Sequence, residues 1–159
     1  MTRPVYLDYN VTTPVLPEVV EAMLPYLTEH HGNPSSTHVY GRTARQAVEE
    51  ARGEVAALLG CESDEVFFTS GGTEANNLAI RGVAEAVPGK RHVVTSVIEH
   101  PATANPCGWL ERHGWEVTRL DVESTGRVDM RGASALVRED TVLLTVMHAN
   151  NEVGTLQPV

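Results

Sequence analysis

Apolar and polar residues recur along this chain with two different periods. Val19, Val20, Met23, Leu24 and Leu27 fall at helical spacing, and Pro17 suits a first turn, so the pattern predicts a helix over Pro17–Thr28. Pro25 has no amide to give to the helical ladder and predicts a kink or an early stop. Ala44, Ala47, Val48, Ala51, Val55, Leu58 and Leu59 form the clearest stripe, and Gly60 closes it. From Glu65 onward the pattern changes. Residues 66–68, 93–96, 115–120 and 141–147 read as short, nearly continuous apolar strands. Between them, Ala75, Leu78, Ala79, Gly82, Val83 and Ala86 mark a helix that ends at Pro88-Gly89. Residues 102–113 form another, whose start could also fall at Asn105-Pro106, and 130–137 a short third. Strands alternating with helices predict an α/β fold, three αβα layers around a mostly parallel sheet. No linker interrupts the chain, so 1–159 reads as one domain.

Composition narrows the function classes. The chain has 159 residues, 42% hydrophobic and 21% charged, ordinary for a globular protein. No apolar run approaches the roughly 18 residues of a membrane span, and MTRPVYLDYN lacks a signal-peptide core, so a cytoplasmic location is expected. A net charge of −9 argues against a nucleic-acid or anionic-membrane surface. Cys61 and Cys107 are too few for a disulfide framework or a cysteine zinc site, and no basic neighbour activates either thiol. His30, His31 and His38 read as loop histidines rather than metal ligands, so no metal is expected. Lys90 is the single lysine.

In an open α/β sheet, ligands bind beyond the carboxyl ends of the strands. That rule selects Thr69-Ser70-Gly71-Gly72-Thr73-Glu74, Ile98-Glu99-His100 and His148-Ala149-Asn150-Asn151-Glu152. Glycines, a helix N-terminus and the Thr73 hydroxyl make the first an anion cradle suited to a phosphate. An ordinary βα turn with Thr73 as cap explains the same residues. An imidazole at His100 could stack on a planar ligand or move a proton, or be satisfied by nearby backbone. Asn150 and Asn151 offer amides at the same rim, or simply form a turn.

Five ordered blocks then carry a resemblance: LDYNVTTP (7–14), GNPSSTHVYGR (32–42), FTSGGTEANNLAI (68–80), TSVIEHPA (95–102) and MHANNEVGTLQP (147–158). Together the chain resembles the N-terminal part of pyridoxal-phosphate-dependent cysteine desulfurases, class V aminotransferase-like enzymes with selenocysteine lyases as close relatives. The resemblance implies a partial large domain of the fold type I pyridoxal-phosphate (PLP) transferases, with residues 1–15 as an N-terminal arm. It implies sulfur transfer from L-cysteine to an enzyme cysteine, leaving L-alanine, with an iron–sulfur scaffold protein as a partner. Carried over by motif, Gly72 and Thr73 hold the cofactor phosphate, and His100 stacks on its ring and moves protons. Asn151 contacts the cofactor, and Asn33 approaches the substrate. The resemblance also implies a homodimer, or completion by a C-terminal half. The family's Schiff-base lysine and persulfide cysteine match no residue here, and Lys90 in Pro88-Gly89-Lys90-Arg91 reads as a charged turn. Val11 stands where the family usually has Ala, and Pro106 falls inside an expected helix. Alternative readings are a selenocysteine lyase, a non-enzymatic binding or assembly module of the same fold, or another type I enzyme such as an aminotransferase.

Overall fold

A computed structural model describes residues 4–159, with the side chains of Met130 and Arg131 excepted. The chain divides into two compact units, the first running to Phe68 and the second from Thr69 to Val159.

The first unit is helical. α1 (Pro17–Thr28) starts as its pattern predicts, with Pro17 in the first turn. The expected early stop at Pro25 does not occur. The helix runs to Thr28, and the amides of Glu29 and His30 both close on the Pro25 carbonyl at 2.8 Å. α2 (Val39–Leu59) ends at Gly60, whose φ of 70° is the left-handed conformation that favours glycine. Ala44 of its stripe is buried, as is Ala56 beside it, whereas Leu58 and Leu59 are exposed. α1 and α2 line a groove with Val19, Met23, Tyr26, Ala47 and Phe68 on its walls.

Residues 66–68 do not form the expected strand. After a single 3₁₀ turn (Ser63–Glu65), the segment is extended but belongs to no ladder. Arg52 of α2 holds it instead. Its guanidinium donates to the Val66 carbonyl and lies 5.1 Å from the centre of the Phe68 ring. Val66 is buried, while Phe67 and Phe68 are exposed.

The second unit carries the sheet. Its elements are α3 (Gly72–Ala86), β1 (His92–Ser96), α4 (Pro101–Arg112), β2 (Glu116–Leu120), α5 (Met130–Leu136) and β3 (Thr141–Thr145). The strands lie in the order β2-β1-β3, all parallel. The predicted parallel sheet flanked by helices is therefore present. Val93 opposes Val117 and Leu143, and these three meet Ile80 and Ala84 of α3 and Cys107 and Leu110 of α4. Val94 and Leu120 face the other way, onto Val128 and Ala133. β1 leads through α4 to β2 on one side, and β2 returns through α5, past β1, to β3. Right-handed crossovers in opposite directions must use opposite faces, which gives the three layers.

α4 begins at Pro101, not at Asn105-Pro106. His100 is its N-cap, and the Nδ1 of the ring accepts the Ala102 amide at 3.0 Å. Pro106 is buried within the helix without ending it.

Candidate active site

Three loops leave the carboxyl ends of the three strands, and all three line one cavity of about 510 Å³. Val97 to Pro101 follow β1, Val122 to Gly126 follow β2, and Asn150 to Val153 follow β3. A parallel sheet makes such a crevice because every strand points its free end the same way.

His100 and Asn151 both line this cavity. His100 is exposed to solvent. Because its Nδ1 accepts a hydrogen bond, the neutral ring carries its proton on Nε2. The structure thus brings together two of the residues singled out in the sequence.

Gly72 and Thr73 lie outside the cavity lining. They open α3, whose first-turn amides have no carbonyl to accept them. Since α3 feeds into the start of β1, its own start lies toward the strands' carboxyl ends. α3 packs against α4, with the Arg81 guanidinium 3.8 Å from the centre of the Trp109 ring. Arg81 lies about 13 Å along α3 from Gly72, and Trp109 about 12 Å along α4 from Pro101, so the two N-termini are nearly level. Glu74 folds back onto Ser70, taking its amide at 2.7 Å and its hydroxyl at 2.6 Å. The Ser70 hydroxyl, then its amide, hold the Glu74 carboxyl below the usual range. A Cβ at Gly72 would meet nothing within 4 Å, so the space over this turn is open.

Asn33 belongs to the first unit. Its loop closes against the start of α2, where Ser35 donates its amide to Asn33 Oδ1 at 2.8 Å. A Cβ on Gly41 would lie 2.4 Å from the Ser36 carbonyl oxygen and 2.7 Å from that of Asn33, so the loop's shape requires glycine there.

Several contacts that shape the cavity join residues far apart in sequence. Glu99 Oε1 accepts the Ser96 hydroxyl at 2.6 Å and the Met147 amide at 2.8 Å, joining the loops after β1 and β3. Asn150 donates Nδ2 to the Ile98 carbonyl at 3.2 Å, and its Oδ1 accepts the amides of Glu152 and Val153, each at 3.0 Å. Buried Gln157 accepts the Val128 amide and donates to the Gly126 carbonyl, both at 2.8 Å. The Cys107 thiol is buried, and burial pushes its pKa up. Lys90 is exposed.

Comparison with known proteins places this arrangement. The chain is 52% identical over 160 residues to a cysteine desulfurase IscS of Dictyoglomus turgidum (strain DSM 6724 / Z-1310), covering 100% of this chain and 41% of the relative. Among solved structures, a NifS-like protein superposes with a TM-score of 0.89 at 42% identity, covering 94% of this chain and 41% of that one. SspA, solved in complex with cysteine, also superposes at 0.89, with 40% identity over 96% of this chain and 44% of its own. The chain thus spans about 40% of the length of these relatives. The profile described as Aminotransferase class-V matches residues 5–159, and the chain belongs to that family.

Proposed function

We propose that the chain supplies the cofactor-holding N-terminal part of a cysteine desulfurase that uses PLP. The observation that carries this reading is the single cavity on which His100 and Asn151 converge, level with the open N-terminus of α3. In this reading both units belong to one large domain, with residues 1–15 as its arm.

The residues present fit the cofactor. Open amides at Gly72 and Thr73, the Thr73 hydroxyl and the positive end of α3 suit a phosphate. The cavity itself carries Glu99, Glu123 and Glu152 and suits an anion poorly, which supports a phosphate at α3 and the planar ring on the His100 side. When bound, PLP supplies the electron sink for bond breaking at an amino acid. His100 offers a flat face, and its Nε2–H can donate a hydrogen bond to a group in the cavity. Asn151 offers a carboxamide on the same cavity. Asn33 is assigned to the substrate side. The substrate is L-cysteine, which leaves as L-alanine while its sulfur passes to a cysteine thiol as a persulfide. Lys90, Cys61 and Cys107 take no part. Pairing of two copies, delivery of sulfur to an iron–sulfur scaffold and a cytoplasmic location belong to the same proposal.

A hybrid tests it: residues 1–159 joined to the remainder of the 52%-identical relative. The hybrid should bind PLP and release sulfide from L-cysteine with stoichiometric alanine. Thr73→Ala should weaken PLP retention by roughly tenfold or more, since a hydrogen bond to a charged group contributes about 1.5–3 kcal/mol. A hybrid that binds PLP but yields neither product overturns the reaction. Unchanged retention in Thr73→Ala overturns the phosphate assignment.

A further inference from the structure

We propose that Glu99 is a positioning residue, which sets His100 and Asn151 at their separation by clamping the loops after β1 and β3 together. The inference deepens the reading above and rests on it for its catalytic consequence. Its geometry stands alone. One carboxylate oxygen takes two donors from different strands: the hydroxyl of Ser96, the last residue of β1, and the main-chain amide of Met147, two residues beyond β3. Both contacts, 2.6 and 2.8 Å, are in the range of charge-assisted bonds. Glu99 is half-buried and directly precedes His100, so a fixed Glu99 fixes where the α4 cap begins. On the other side, Met147 and Asn150 both precede Asn151, the first residue of the turn 151–153. Asn150 adds a second cross-link through Ile98, one residue before Glu99. The two ties lie just ahead of both site residues, one or two residues before His100 and one to four before Asn151. Removing the Glu99 oxygen leaves the half-buried Met147 amide without this acceptor and takes away one of the two ties described. The clamp needs an acceptor oxygen at this reach, which a carboxamide of the same length also offers.

Two variants separate clamp from charge. Glu99→Gln keeps an acceptor oxygen at the same length, and Glu99→Ala removes it. In nitrogen-resolved NMR of the full 159-residue chain, Glu99→Ala should move the Met147 amide proton upfield. It should also blur the fixed Nε2–H tautomer of the His100 ring into an average. Glu99→Gln should keep both signatures. In the hybrid enzyme, Glu99→Ala should lower kcat about tenfold or more while PLP stays bound, the scale expected for a misplaced catalytic group, and Glu99→Gln should recover most of it. Met147 and His100 signals that stay put in Glu99→Ala overturn the clamp. So does a Gln variant as impaired as the Ala variant, which would make charge the operative property. A hybrid that never binds PLP overturns the function proposed above but leaves the NMR comparison to decide Glu99.

Discussion

Both ring nitrogens of His92 are occupied, Nδ1 with Thr141 Oγ1 at 2.7 Å and Nε2 with Thr118 Oγ1 at 2.8 Å. The ring is fully buried at the start of the central strand, and it ties that strand to both neighbours. Residue pattern alone put the strand start at Val93, because a histidine breaks an apolar run. Its partners lie 26 and 49 residues away, beyond the reach of any local signal. Replacing His92 with Leu keeps the bulk but leaves the Thr118 hydroxyl without this partner. The expected loss is about 1–3 kcal/mol in urea unfolding, with an unchanged slope. A midpoint equal to that of the parent would mean the hydroxyls pair elsewhere. Glu99 was hidden in the same way. It stood beside His100 in plain view, but its second partner is a main-chain amide 48 residues on.

Elements were legible wherever periodicity and punctuation agreed. The α2 stripe with Gly60 behind it, and the α3 stripe ending before Pro88-Gly89, required no tertiary knowledge. Two readings failed for physical reasons. Val66-Phe67-Phe68 has strand composition, but composition cannot reveal whether a partner strand lies alongside, and Arg52 took that place. Asn105-Pro106 has good capping chemistry, but His100 caps five residues upstream with a ring nitrogen. At the opposite end of the strands, Arg138 joins Glu116, the first residue of β2, to Asp140, just before β3. It meets Glu116 at 2.7 Å and Asp140 at 3.0 Å. Hydrogen bonds from Arg138 hold both carboxyls below their ordinary values of 4.5 and 3.8. Carboxyls depressed in the folded state contribute stability at neutral pH and lose it as pH falls through their folded values. The urea midpoint should therefore fall on acidification below about pH 4.5. Arg138→Gln should flatten part of that decline and reduce its sensitivity to salt, because the pair is exposed. An identical acid limb in the variant would remove Arg138 as its cause.

At the scale of the molecule, the chain passes from one compact unit to the other between Phe68 and Thr69, and the segment before that boundary has exposed aromatic side chains and no ladder. Such segments are where proteases enter. Brief chymotrypsin treatment under native conditions should leave a product starting at Phe68 or Thr69 that keeps its sheet, read by mass spectrometry and circular dichroism. Degradation without that product would show that the second unit does not hold by itself. The site's general location followed from one rule about parallel sheets, applied to the alternation of strands and helices. Its construction did not, because the cavity walls come from three loops separated in sequence by entire helices.

The cap on α4 also governs how variants at position 100 can be interpreted. One imidazole secures a helix with its first nitrogen and faces the cavity with the rest of the ring. Alanine there abolishes both duties in a single stroke, and any lost turnover would conflate a frayed helix with a missing platform. Asparagine, itself a preferred cap, would retain the first duty and delete only the second.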